Sequence, residues 1–135
     1  MIYLDSSAIL RRILRTEWTP HLENYLATRP EGSRVAISTV GIIEVRRVLS
    51  AEGATRGDLA TADQMLAEFN RVDLTPDVVA TATGLADRKL RTLDAIHVAS
   101  AIDIRATAFV TYDRRMMDAG RGVGLRVEHP GMPAS

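Results

Sequence analysis

Four acidic residues stand where an acid has to do more than solvate a surface: Asp5, Glu44, Asp94 and Asp113. Asp5 directly follows the short apolar run IYL, and Asp113 follows ATAFVTY. Both are therefore placed at the carboxyl ends of strand candidates, the edge along which open parallel sheets bind ligands. Glu44 falls on a helix predicted through VGIIEVRRVLSAE, on one face with Val40, Val48 and Ala51, and Asp94 shares a face with Val98 and Ala101 on a helix that is apolar on almost every side. A carboxylate on such a stripe either takes up a proton or needs a cation, a hydrogen-bond network or an open cleft. Should the four converge, their mutual repulsion is relieved by Mg²⁺ or Mn²⁺, hard cations that prefer oxygen ligands. Each acid also has a plainer reading. Asp5, Asp94 and Asp113 can cap helices or meet helix dipoles, and Glu44 can pair with an arginine.

The elements that must position these acids alternate along the chain. IYL is a strand candidate, Asp-Ser-Ser offers N-caps for AILRRIL, and residues 17–28 form a second helical segment before the loop at Pro30–Gly32. VAIS is the next strand, followed by a helix capped by Ser38 or Thr39 and ended by Gly53. A helix at 57–69, a strand RVDLTP stopped by Pro76, a helix at 77–89, a Thr92-capped helix LDAIHVASAIDI, the strand ATAFVTY, a helix with Met116 and Met117, and a final strand in GLRVEH complete the pattern. Strands separated by helices imply an α/β fold of three layers, α/β/α, with a central twisted parallel sheet. Residues 1–130 are read as one domain and 131–135 as a C-terminal tail.

Composition narrows the classes. A chain of 135 residues with 46% hydrophobic content supports one ordinary core. Its 17 basic and 17 acidic residues cancel, so any nucleic-acid contact must use a local patch rather than a global positive field. With no cysteine, thiol catalysis, disulfides and thiolate zinc sites are excluded. The opening MIYLDSSAIL is unlike a secretion signal, and no apolar run approaches the roughly 20 residues that span a bilayer. A soluble, cytoplasmic protein without membrane contact is expected.

The strings DSSA at 5–8, STVGIIE ending at Glu44, RTLDAIHVASA at 91–101 and TYDRRM at 111–116 are similar in type, order and spacing to the PIN domain of VapC-type toxins. RTLDAIHVASA is the most specific of them, and the likeness extends over nearly the whole chain. The resemblance implies a PIN-like fold and a metal-dependent endoribonuclease that uses Mg²⁺ or Mn²⁺. It carries the catalytic and metal-binding site onto Asp5, Glu44, Asp94 and Asp113, with Ser6 and Thr111 as supporting hydroxyls. It implies products with a 5′-phosphate and a 3′-hydroxyl. It also implies an RNA substrate, a homodimer, and neutralisation by a cognate VapB-type antitoxin whose C-terminal segment covers the toxin groove. The alternative is a noncatalytic PIN-like module that binds RNA or protein.

Other signals carry less. A phosphoacceptor or phosphatase is disfavoured because DSSA lacks the second acid of a DxD nucleophile motif. Asp118 is read as a solvated helix acid, His97 as a packed or hydrogen-bonded helix histidine, and GRGVG at 120–124 as a turn. Trp18, Tyr25, Met116 and Met117 are read as filling core or interface gaps. Arg11, Arg12, Arg15, Arg46 and Arg47 are expected on solvated helix faces, with those nearest the cleft available to phosphate.

Overall fold

The computed structural model describes residues 1–134; Ser135, the last residue of the expected tail, lies outside the described residues. The elements in chain order are β1 (Ile2–Leu4), α1 (Ser6–Ile13), α2 (Thr19–Ala27), β2 (Val35–Ser38), α3 (Thr39–Ala51), α4 (Arg56–Leu66), β3 (Asn70–Val72), α5 (Pro76–Thr83), α6 (Thr92–Asp103), β4 (Ala108–Val110), α7 (Arg114–Gly122) and β5 (Val127–Glu128). The strands form one sheet in the order β3-β2-β1-β4-β5, parallel throughout. This is the expected three-layer α/β/α arrangement.

Alternation along the strands creates the layers. Ile2 and Leu4 of β1, Val35 and Ile37 of β2, and Ala108 and Val110 of β4 face a core completed by residues of α1 to α4, among them Ile9, Leu22, Val45 and Leu66. Tyr3, Ala36 and Phe109 point the other way, into a core completed by Val78 of α5, Val98 of α6 and Met116 of α7. Because successive side chains of a strand alternate faces, three-residue strands suffice to divide the apolar residues between two helical layers.

Strand order places β1 at the centre, with β2 on one side and β4 on the other. The chain thus leaves β1 in one direction and later returns to its opposite edge. The topological switch point, where such sheets form a crevice, lies between the carboxyl ends of β1 and β4. Tyr3 pairs with Phe109 and Leu4 with Val110 in register, so the residues after each strand emerge side by side.

Several boundaries differ from expectation. The strand RVDLTP is confined to Asn70–Val72 because Thr75 turns to cap α5, its side chain accepting from the Val78 N–H. The helix expected at 77–89 stops at Thr83, before Gly84; Leu85 and Leu90 still pack on the core, from irregular backbone. The N-cap of α6 is Arg91, with no side-chain cap bond, which moves Thr92 inside the helix. Gly53 does end α3, at φ +86°, with Ala54 N–H donating to the Leu49 carbonyl at 3.0 Å. Near the C-terminus, Met132 N–H donates to the His129 carbonyl at 3.0 Å, and the Tyr112 hydroxyl donates to the Pro130 carbonyl at 2.8 Å. Met116 and Met117 are buried, as expected of core residues. No helix among the described residues is long and apolar enough to cross a membrane.

The α7 layer sits unusually close to the sheet at Gly120, where a Cβ would lie 2.9 Å from both Phe109 Cδ1 and Val127 Cγ2. Gly57 in α4 has only the Thr55 hydroxyl nearby, at 3.7 Å. Alanine gains up to about 1 kcal/mol of helix propensity at either position, but overpacking a core costs about 1–3 kcal/mol. Gly120→Ala is therefore expected to lower the denaturation midpoint and Gly57→Ala to raise it, as read by urea unfolding of the two variants beside the parent.

Candidate active site

The switch point is occupied by a carboxylate. Asp5 terminates β1 and caps α1, is almost completely buried, and holds every contact a buried anion needs. Its Oδ1 accepts from the Ala8 N–H at 3.0 Å and from the Ser7 hydroxyl at 2.6 Å, while Oδ2 accepts from the Thr111 hydroxyl at 2.5 Å. Burial pushes the Asp5 pKa up; His97 and these hydrogen bonds oppose the rise.

The same hydroxyls shape the loop after β4. Ser7 Oγ accepts from Tyr112 N–H at 2.9 Å, and Thr111 Oγ1 accepts from Asp113 N–H at 3.1 Å. A hydroxyl has one proton, and both donate it to Asp5, so the 3.3 Å approach of Ser7 to Thr111 adds little. Thr111 thus sits where a supporting hydroxyl was expected. The other hydroxyl on Asp5 belongs to Ser7, whereas Ser6 is half-buried at the first position of α1. Adjacent serines in DSSA are indistinguishable in sequence; only the turn into the helix separates them.

Asp113 caps α7 through the Arg115 N–H at 2.9 Å and remains half-buried. Asp94 lies in the first turn of α6, also half-buried. Its pKa is raised first by partial burial and then by the neighbouring Asp113 carboxylate, with a smaller push from Glu44; Arg115 and His97 pull against them. Asp94 is thus near enough to Asp113 and Glu44 to feel their charge. Asp118, on the exposed side of α7, is the solvated acid expected.

Glu44 departs from its expected setting. The buried face of α3 is Gly41, Val45 and Leu49, one position round from the stripe 40, 44, 48, and Val48 is exposed. Both stripes are apolar in sequence, and at 100° per residue they are adjacent, so periodicity alone could not choose between them. Glu44 consequently stands at the rim, its side chain 25% exposed, and is held by the fully buried His97, whose Nε2 lies 2.5 Å from Oε1. His97 is the hydrogen-bonded helix histidine anticipated, but its engagement of an acid of the site was not. Its three-residue offset from Asp94 was the available signal.

Arg11 and Arg12 are not on a solvated face as expected: both are half-buried, their Nε atoms shielded and without hydrogen-bond partners. Arg11 lies over both Trp18 and Tyr112, whose rings stack 5.6 Å apart, and Arg12 lies over Phe69. Aromatic faces to stack on, invisible along the sequence, drew these arginines inward. Trp18 accordingly fills a packing gap, as expected. Arg15 and Arg46 make exposed ion pairs with Glu23 and Asp63.

The donor set is all oxygen, which suits a hard divalent cation, although among the described residues no three acidic or histidine side chains are close enough to enclose one. Mg²⁺ characteristically keeps several waters and uses one or two carboxylates directly, so the separated acids remain compatible with it. Five concavities of the described residues lie away from the acids, two of them bordered by Arg12 of α1. One of about 490 Å³ is lined by Arg12, Arg29, Arg34 and Phe69; the other, of about 460 Å³ and mainly apolar, is lined by Ile13, Leu49, Ala54 and Met65. Neither contains the chemistry of the four acids.

Comparison with known proteins agrees with this architecture. The PIN domain model matches residues 2–122. Ribonuclease VapC47 of Mycobacterium tuberculosis (strain CDC 1551 / Oshkosh) is 36% identical, covering 97% of this chain and 98% of that protein. Ribonuclease VapC46 of M. tuberculosis (strain ATCC 25618 / H37Rv) is 39% identical, covering 96% and 97%. Among solved structures, VapBC2 from Rickettsia felis, bound to a DNA fragment from its promoter, superposes with a TM-score of 0.78 at 18% identity over 96% of this chain and 99% of that one. VapC20 of M. tuberculosis, described as a sarcin-ricin loop cleaving toxin, gives 0.70 at 18% identity over 96% and 100%. With the family model spanning the site from Asp5 to Asp113 and full-length relatives well above the 30% level, the chain belongs to the PIN-domain family, in its VapC branch.

Proposed function

We propose that this protein is a divalent-metal-dependent endoribonuclease toxin that hydrolyses RNA phosphodiester bonds at Asp5, Glu44, Asp94 and Asp113, and that a VapB-type antitoxin neutralises it. The observation that carries the reading is the placement of Asp5 and Asp113 just after the adjacent parallel strands β1 and β4, joined through Thr111, with Asp94 near enough to feel the charge of Asp113 and Glu44. The curated relatives are ribonucleases by name, and structural relatives include toxin–antitoxin complexes.

Asp94, Asp113 and Glu44 are the half-buried acids able to hold Mg²⁺ or Mn²⁺, with Asp5 supplying fixed negative charge behind them. When bound, such a cation orients the scissile phosphate, lowers the pKa of the attacking water and stabilises the departing oxygen. The protein's own part is placement. Thr111 and Ser7 fix Asp5 and the 111–113 loop together, so the Asp113 carboxylate keeps its position relative to β1. A homodimer and a cytoplasmic setting complete the proposal.

The direct test is incubation of the purified protein with total cellular RNA, with and without Mg²⁺ or Mn²⁺, followed by mapping of cut ends. Discrete cleavage that requires the metal and leaves 5′-phosphates is expected; intact RNA under every condition overturns the reading in favour of a noncatalytic binding module. Asp94→Asn preserves shape and removes a charge, and is expected to lower cleavage on the order of 100-fold or more. The same variant reports on stability. Asp94 has a folded-state pKa above its unfolded value, so its favourable contribution is complete below the unfolded pKa and is lost as pH rises through the folded one. In chelator, Asp94→Asn should therefore unfold at a higher temperature than the parent at neutral pH, and the gap should close as pH falls through the aspartate range. Thermal melts across that range check it.

A further inference from the structure

Glu44 is the acid of the proposed site that is held by a side chain from another helix, and what holds it is itself held. His97 is 2% exposed on α6. Its Nε2 lies 2.5 Å from Glu44 Oε1 on α3, and its Nδ1 lies 2.6 Å from the hydroxyl of Tyr3 on β1. Tyr3 is completely buried, meeting the imidazole edge-on at 5.9 Å and stacking on Phe109 at 5.6 Å. Gly41, one turn before Glu44, makes room for the ring: a Cβ there would lie 3.2 Å from His97 Cε1. Three elements from different parts of the fold therefore meet at one imidazole.

Proton accounting gives this chain a direction. An ordinary tyrosine hydroxyl keeps its proton at neutral pH and can donate it. Donation to Nδ1 fixes the neutral ring as the Nε2–H tautomer, and a protonated ring also carries Nε2–H, so in either state an N–H points at the Glu44 carboxylate. Both ring nitrogens are then satisfied. Glu44 keeps its second oxygen free of the histidine. Of the two, Glu44 is the flexible partner: it has three side-chain torsions and stands at the rim, whereas the histidine is packed on all sides.

Resting on the proposed nuclease reading, we infer that His97, oriented by Tyr3, is a positioning residue that fixes the Glu44 carboxylate for metal binding. It touches neither substrate nor metal, and acts through Glu44 alone. Partners that orient a metal-binding carboxylate in this way change metal affinity by about 10- to 100-fold when removed.

The test uses the full chain with Mn²⁺ as probe, read by calorimetric titration, together with RNA cleavage kinetics and thermal melts. His97→Leu is expected to weaken Mn²⁺ binding by about 10-fold or more and to lower kcat with little change in KM for RNA. His97→Gln, whose amide N–H can replace the Nε2 donor, is expected to recover most of both. Tyr3→Phe keeps the ring and loses the hydroxyl; it should weaken Mn²⁺ binding by a smaller factor and move the His97 ring ¹⁵N shifts away from the Nε2–H tautomer. Should His97→Leu fail to fold, Tyr3→Phe and His97→Gln decide: unchanged Mn²⁺ affinity and unchanged ring shifts in Tyr3→Phe overturn the inference. Parental Mn²⁺ affinity in a folded His97→Leu protein overturns it alone, whereas a parent protein that binds no Mn²⁺ removes the nuclease reading and the inference together.

Discussion

A carboxylate buried at the end of the central strand imposes the strictest condition on this molecule. Asp5 has almost no access to water, so its charge must be met by donors brought from elsewhere, and they come from both sides of the switch point: Ala8 and Ser7 from the start of α1, Thr111 from the end of β4. Satisfying this one group joins β1 to the loop after β4, beyond what strand pairing alone would do. The loop that carries Asp113 is set by the same two hydroxyls. Asp5 and Asp113 are thus linked by the requirement that the deeper of them not be left unpaired.

A second network stands beside the first. Tyr3 and Asp5 are two residues apart on β1, so their side chains leave the same face of the strand. One feeds the imidazole that holds Glu44, and the other the hydroxyls that hold the 111–113 loop. Polar groups buried in the middle of a sheet are costly when half-satisfied and rigid when fully satisfied. Here nearly every donor and acceptor has a named partner.

Much of this was legible along the chain. The alternation of apolar strands with long helical patterns implied the parallel three-layer fold, and Asp5 and Asp113 could be placed at strand ends because IYL and AFV are so plainly apolar. The terminator at Gly53 behaved as its chemistry requires. What escaped was decided by neighbours distant in sequence. Two apolar stripes lie side by side on α3, and packing against the sheet selected 41, 45 and 49 over 40, 44 and 48. The turn into α1 brings Ser7 rather than Ser6 to Asp5, with the distant Tyr112 N–H completing the bonding of its hydroxyl, and Arg11 turns inward to the rings of Trp18 and Tyr112. Periodicity reports which face of an element is apolar, not which polar atom on its margin finds a partner.

The order of the strands in the sheet also bears on the life of the newly made chain. Asp5 emerges first, but the strand that lies against β1 on its far side is β4, which begins at Ala108. Thr111 must arrive before the Asp5 carboxylate can be enclosed, and Asp113 follows it. During synthesis, then, the 106 residues that separate Thr111 from Asp5 must be made before the acids can be gathered at one edge. A protein proposed to cut RNA, made beside RNA, has its cutting edge withheld by topology until β4 and the loop after it have been made.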